Sequence, residues 1–383
     1  MSVDAPPQHG PRPPGERLAV VDALRGIALL GVVVVNADAH FRITTFQPLV
    51  GAAPPATPTE AFVAGAVSLV FEWKALSLFA FLFGAGLAAQ RERAGAAWAL
   101  YLSRRQCVLF ALGVAHMVFV FGGDILAFYA VLGLVASVAL SLSARTLAAL
   151  AVGFFALQIA PLPVYPFASI EDAQEHVAVA QRVYAGGSYG DVLRFRVHEL
   201  RPLLVLLSRS APRNLGLFLL GAAAWRARMF SPSQRSRALL IVAALGLAAG
   251  AAHAAAHFEL IRGAARDVVY ESGGALFALG LAALLVRVSR RPLAVQAMRL
   301  FAPLGRMSLT AYLSQSLVLG AIFYGYGLGL MGRVSRATTF AIALGLYLAL
   351  LVASRAWLRR ASWGPVEWAW RAATYGAMRR PKS

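Results

Sequence analysis

Four residues between Val20 and His40 carry side chains able to do acid–base or anion chemistry: Asp22, Arg25, Asn36 and His40. On a helix turning about 100° per residue, Arg25, Asn36 and His40 fall within about 60° of Asp22, so one stripe holds all four. The remaining faces of the segment VVDALRGIALLGVVVVNADAH are apolar. Polar and charged groups at bilayer depth cost at least about 2.5–3.5 kcal/mol each unless partnered, so the stripe is expected to face a protein interior or an aqueous path. Asn36 and His40, four residues apart, can reach one ligand together, His40 as general base and Asn36 as a donor to a carbonyl or oxyanion. The same pair also reads as a capping Asn followed by an interfacial His.

Further groups recur at the ends or in the middle of apolar stretches. Glu72-Trp73-Lys74 interrupts one such stretch with one of only two lysines in the chain. Glu72 and Lys74 do not face each other on a helix, so each needs its own partner or the helix breaks there. Both are expected to face the same interior cavity as Asp22 and Arg25. His116 and Asp124 are linked through Phe121-Gly122-Gly123, a connection short enough to bring imidazole and carboxylate together and so fix a tautomer. Arg209 and Arg213 can hold an anionic group of a substrate or neutralise Glu72 and Asp124. Ser308, Tyr312 and Gln315 occupy i, i+4 and i+7 on a second polar face, open to substrate contact or to interhelical hydrogen bonding.

Other patterns carry less. His253 and His257 have zinc-ligand spacing, but no Glu follows His253 and no third ligand is evident, so no metal is expected. Tyr324-Gly325-Tyr326-Gly327 ends a full span and lacks the Thr-Val of a potassium filter. Phe83-Gly84-Ala85-Gly86 reads as a close helix contact. The lone Cys107 reads as a small buried apolar residue.

The elements that must position these residues follow from composition. With 59% hydrophobic and 14% charged residues among 383, the chain reads as an all-α, polytopic membrane helical bundle. Ten spans are expected near 18–40, 61–89, 105–122, 125–141, 146–163, 203–225, 238–258, 268–287, 307–328 and 337–357. The net charge of +19 is almost wholly arginine, in short clusters between spans. Such clusters indicate a cytoplasmic face against anionic lipid, with no nucleic-acid partner and both termini on the cytoplasmic side. Residues 1–17 read as a disordered leader, 18–357 as the bundle, 164–202 as an extracytoplasmic loop fit to cap a cavity mouth, and 358–383 as a cytoplasmic interfacial tail. A competing reading makes the first span a cleavable signal peptide, since a ten-residue apolar run ends in Ala37-Asp38-Ala39.

Five strings resemble the YeiB family of bacterial membrane proteins, domain of unknown function 418, a resemblance that implies the bacterial cytoplasmic (inner) membrane as location. They are Asp22 to Gly31 with Val35-Asn36, Phe81 to Gly84, Gly123 to Tyr129, Gly305 to Ser316, and Gly364 to Trp368. The first is also similar to the opening of the transmembrane acyltransferase superfamily, which includes lysosomal heparan glucosaminide acetyltransferase and the acyltransferase 3 proteins. That resemblance implies acyl-CoA as cytoplasmic donor, a small-molecule, lipid or sugar acceptor on the far side, and an Asn and a His near the outer end of the first span. Asn36 falls on the Asn position; His40 lies near the His at a shorter spacing. On this reading Arg104, Arg105 and Arg306 at the inner mouth hold the CoA phosphates. The alternative is a transporter or flippase for an anionic or amphipathic small molecule. Oligomers are compatible with either.

Overall fold

The computed structural model describes residues 19–51, 55–159, 165–231, 237–289 and 291–375. Within them the chain is helical: α1 (Ala19–Asn36), α2 (Pro58–Val70), α3 (Lys74–Ala94), α4 (Trp98–Phe119), α5 (Leu126–Ala139), α6 (Ala144–Ile159), α7 (Ile170–Gly186), α8 (Tyr189–Arg209), α9 (Ala211–Arg226), α10 (Arg237–His257), α11 (Ala264–Val288), α12 (Pro292–Arg306), α13 (Ser308–Phe323), α14 (Arg336–Leu358) and α15 (Pro365–Tyr375). The leader expected over 1–17 lies outside the described residues.

Local chemistry sets the helix starts. Thr57, Ser169, Ser188 and Ser335 each accept a backbone N–H of the following turn, and Ser188 with Asp191 forms a reciprocal capping box. The packing rests on small residues that let backbones touch. Gly84 of α3 lies against the Phe218 backbone of α9, and Gly221 of α9 against the Phe81 carbonyl of α3. Gly26 of α1 meets the Phe301 carbonyl of α12, and Gly305 meets the Asp22 carbonyl. Lipid tails give helices no hydrophobic reason to associate, so close backbone approach supplies much of the cohesion. Meanwhile Val138, Val152, Leu245 and Val352 point outward from α5, α6, α10 and α14. An apolar exterior of this kind is what a membrane protein presents to lipid.

Among the described residues, five helical stretches are long and apolar enough to cross a membrane, or six if α8 and α9 form one span bent by 52°. Three shorter apolar helices, Leu126–Ala139, Ala144–Gln158 and Ser308–Phe323, occupy the positions of further expected spans. Three features depart from the hydropathy reading. Span 2 is broken at Phe71–Trp73, where Trp73 has φ 63. The stretch before Arg306, read as an inter-span arginine cluster, is the amphipathic helix α12 packed along α1. Cys107, expected to be buried, is exposed on α4, where a thiol is apolar enough to face lipid.

Candidate functional site

A cavity of about 340 Å³ opens beside the first turn of α1 and is walled by α1, α3, α4, α5, α9, α12, α13 and α15. Asp22 and Arg25 line it, their carboxylate and guanidinium 3.5 Å apart. Arg93, Arg105, Arg306 and Arg371 line it too, so five arginines face two carboxylates, Asp22 and Glu367. Arg104, the remaining expected cation, points away and is exposed: neighbours on a helix diverge by about 100°. Two of the arginines are set by the tail. The Arg105 guanidinium lies 3.4 Å over the Trp370 ring, and that of Arg371 lies 3.4 Å over Trp363.

The tail helix is locked in place by Glu367. Its Oε1 accepts the backbone N–H groups of Leu309 (2.7 Å) and Thr310 (3.1 Å), and its Oε2 accepts the Thr310 hydroxyl. No side chain of its own caps α13, so a carboxylate from α15 serves as the cap and complements the helix dipole.

Tyr129 and Tyr312 line the cavity as well. The Tyr312 hydroxyl donates to Asp124 Oδ1 at 3.2 Å. The same oxygen accepts from His116 Nδ1 at 2.8 Å, while Oδ2 accepts the N–H groups of Leu126 and Ala127 at the start of α5. Asp124 is fully buried and His116 is 4% exposed, and His116 Nε2 has no hydrogen-bond partner among the described residues. The turn joining them is tight because a Cβ at Gly123 would lie 2.5 Å from the Phe121 ring. A carboxylate bonded to Nδ1 leaves Nε2 as the basic atom, so the pair is oriented for proton transfer. Ser308 lines the cavity, and Gln315 is buried further along α13, its amide nitrogen without a partner among the described residues.

Asn36 and His40 sit at the far end of α1, joined by a π-helical turn over Ala37–Phe41. Such turns are rare and cluster at functional positions. Asn36 is buried, and His40 Nδ1 lies 3.1 Å from the Thr45 hydroxyl. The Phe121 ring makes edge contacts with both imidazoles, at 5.7 Å from His40 and 6.2 Å from His116.

Glu72 and Lys74 do not share the Asp22 cavity. The break at Trp73 turns them toward α10 and α11, where Lys74 Nζ donates to the Ser68 carbonyl (2.9 Å) and to His253 Nε2 (2.5 Å). His253 Nδ1 donates to the Tyr270 carbonyl, and the Tyr270 hydroxyl donates to Glu72 at 2.8 Å. His257 lies 3.1 Å from the Ser68 hydroxyl, so the two histidines belong to this network, and among the described residues no three His, Cys, Asp or Glu side chains form a metal cluster. Arg213 pairs with Glu271 at 3.1 Å and covers the Trp73 ring, not Glu72 or Asp124 as expected. Glu271, on α11, was not singled out in the sequence. Arg209 is exposed and stacks on Tyr165.

Uncharacterized protein YxaH of Bacillus subtilis is 32% identical over 390 residues, covering 94% of both chains. The chain belongs to the YeiB/DUF418 family. YeiB of Escherichia coli, also uncharacterized, is 29% identical over 94% of this chain and 97% of its own. The family model, described as a protein of unknown function (DUF418), matches residues 224–377. In this DUF418 protein the matched region supplies α13 and α15, hence Ser308, Tyr312, Glu367 and the tryptophans at the cavity mouth. Spacing could not join Glu367, Trp370 and Arg371 to the first span. The sequence signals were the family string Gly364 to Trp368 and the interfacial character of the tail, neither of which says what the tail packs against.

Proposed function

We propose that this DUF418 protein is a transmembrane acyltransferase that takes an acyl group from cytoplasmic acyl-CoA and passes it to an acceptor entering from the opposite face of the bacterial inner membrane. One observation carries the reading: an arginine-rich cavity is lined by Tyr312, whose hydroxyl bonds the carboxylate that orients His116, with Nε2 unpartnered among the described residues. The surplus positive charge suits the CoA phosphates, with Arg25, Arg105 and Arg306 the leading contacts and the thioester directed inward. The arginine-bearing ends of the helices are then cytoplasmic, as are both termini.

His116 is the general base, because a buried carboxylate is hydrogen-bonded to its ring and orients it, whereas the His40 ring has the Thr45 hydroxyl as its hydrogen-bond partner. An acceptor hydroxyl or amine gives its proton to His116 Nε2 as its heteroatom bonds to the thioester carbon. The tetrahedral intermediate then collapses, the C–S bond breaks, and the CoA sulfur takes up a proton. Asn36 and His40 orient the acceptor beside Phe121.

Purified protein in liposomes, given radiolabelled acetyl-CoA or longer acyl-CoAs and envelope extract, should release CoA and label an acceptor. His116→Ala should lower the rate by roughly 10²–10⁴ and Asn36→Ala by roughly 10²–10³ at unchanged acyl-CoA binding. No binding or consumption of any acyl-CoA would overturn the reading. A second reading, a transporter, draws on the two broken helices that meet where Arg213 covers Trp73. It predicts uptake or release of an anionic solute by liposomes without CoA cleavage.

A further inference from the structure

The helix α8 buries a guanidinium that no carboxylate among the described residues pairs with. Arg196 is 1% exposed, the largest of the fully buried side chains. Its Nη1 donates a long 3.4 Å bond to the Val118 carbonyl and the guanidinium also interacts with the Tyr324 and Tyr326 hydroxyls, but its Nε and Nη2 have no hydrogen-bond partner among the described residues. Those two N–H groups form one edge of the planar fork, the edge that meets both oxygens of a carboxylate or phosphate. Leaving it empty in a buried site is costly, because each unmade charged hydrogen bond forfeits its full desolvation cost.

The nearest acid along the helix is already engaged. Glu199, one turn on, accepts from His176 Nε2 at 3.0 Å and from the Tyr184 hydroxyl, and it forms no ion pair with Arg196 among the described residues. Burial, and then the Glu199 charge, holds the Tyr184 hydroxyl well above the ordinary tyrosine range, so it stays a donor to that carboxylate. Above Arg196 lies the Tyr324 ring, 5.3 Å away, which stacks on Tyr184 and contacts Phe41. Phe41 in turn stacks on Phe121 at 4.8 Å. A Cβ at Gly122, in the turn that carries Asp124, would lie 4.0 Å from Arg196 Cγ. The unfilled fork therefore adjoins the turn between His116 and Asp124.

We propose that the Nε/Nη2 edge of Arg196 is an oxyanion subsite that holds the carboxylate or phosphate group of the acceptor beneath the α7–α8 cap. The word acceptor rests on the acyl-transfer reading; the anion site itself does not. An acceptor held there presents its nucleophile toward Phe121 and the two imidazoles while its charge stays on α8.

Thermal stability of the full chain in nanodiscs tests this with inorganic phosphate, acetate and glycerol 3-phosphate as probes and glycerol as neutral control. In phosphatidylcholine discs, phosphate or glycerol 3-phosphate should raise the melting temperature saturably and glycerol should not. If stabilisation requires phosphatidylglycerol discs, the oxyanion is a lipid headgroup and the subsite stands. Arg196→Lys keeps the charge but loses the fork and should weaken the midpoint roughly tenfold or more, with Arg196→Gln abolishing the effect. Absence of any anion effect in wild type, or an unchanged midpoint in Arg196→Lys, overturns the proposal. Anion binding without acyl-CoA consumption removes the acyl-transfer reading alone, and acyl-CoA consumption without anion binding removes the subsite alone.

Discussion

Asp124 spends both oxygens on four donors, His116, Tyr312, Leu126 and Ala127, so every oxygen lone pair used here faces an N–H or O–H group. Asp124→Asn keeps the shape but places an amide against one or more of them, so the imidazole loses its fixed tautomer. The expected outcome is a fall in acyl transfer of roughly 10²–10⁴ with acyl-CoA binding little changed. Loss of binding together with rate would mark Asp124 as a purely structural residue. Glu367→Ala leaves the Leu309 and Thr310 N–H groups and the Thr310 hydroxyl without this acceptor, a cost of roughly 1–3 kcal/mol per buried group left unsatisfied. A lowered melting temperature, with acyl-CoA affinity falling as the α15 wall loosens, is expected. At this scale the His116–Asp124 contact was legible, because eight residues and a Gly-Gly turn hardly allow them to separate. Tyr312, 188 positions away from Asp124, was legible only as one member of a polar face. Arg196 was not legible at all, since nothing local distinguishes a buried arginine from a solvated one in an amphipathic helix.

The contacts between α3 and α9 depend on backbone proximity at Gly84 and Gly221. Gly84→Val drives a branched side chain into the Phe218 backbone, which has no flexible end to move aside. Overpacking of about 1–3 kcal/mol or more is expected, read as a lower melting temperature and loss of a monodisperse detergent peak. A Gly84→Val protein as stable as wild type would refute the contact. The motif Phe83-Gly84-Ala85-Gly86 announced this interface because small residues at membrane depth have few other uses. The two helix breaks were less visible. Hydropathy averages over a window about 19 residues wide and cannot register one residue at positive φ; only the charges at Glu72 and Lys74 hinted at the first. The 52° bend between α8 and α9 falls where Pro212 opens the second helix, a recognised helix start that a hydropathy average smooths over.

Across the whole molecule the helical membrane class was legible from composition, because 14% charged and 59% hydrophobic residues lie far from the roughly 25% charged and 45–50% apolar of a typical soluble domain. The number of crossings is a separate matter, resting on short helices whose lengths do not decide it. Cysteine labelling on a Cys107→Ser background is expected to find the α7–α8 cap outside, the α9–α10 and α11–α12 connections inside, and both ends of the chain inside. A cap labelled only from the cytoplasm would reverse the orientation.

The packing of α1 against α12 also fixes an order of events during synthesis. Helix α1, which leaves the ribosome well before α12, carries Asp22 and Arg25, yet the backbone it fits most closely, through Gly26 and Gly305, begins only at Pro292. At about 5–20 residues per second, roughly 13–50 s pass between the two. For that interval α1 must wait in or beside the insertion machinery with its polar stripe uncovered. The Asp22–Arg25 pair, closed within one turn of the same helix, lets it wait as a neutral object. Arg25→Ala removes that self-neutralisation, and its first symptom is expected in biogenesis: α1 photo-crosslinked to insertase for longer, and protein degraded before α12 has been made.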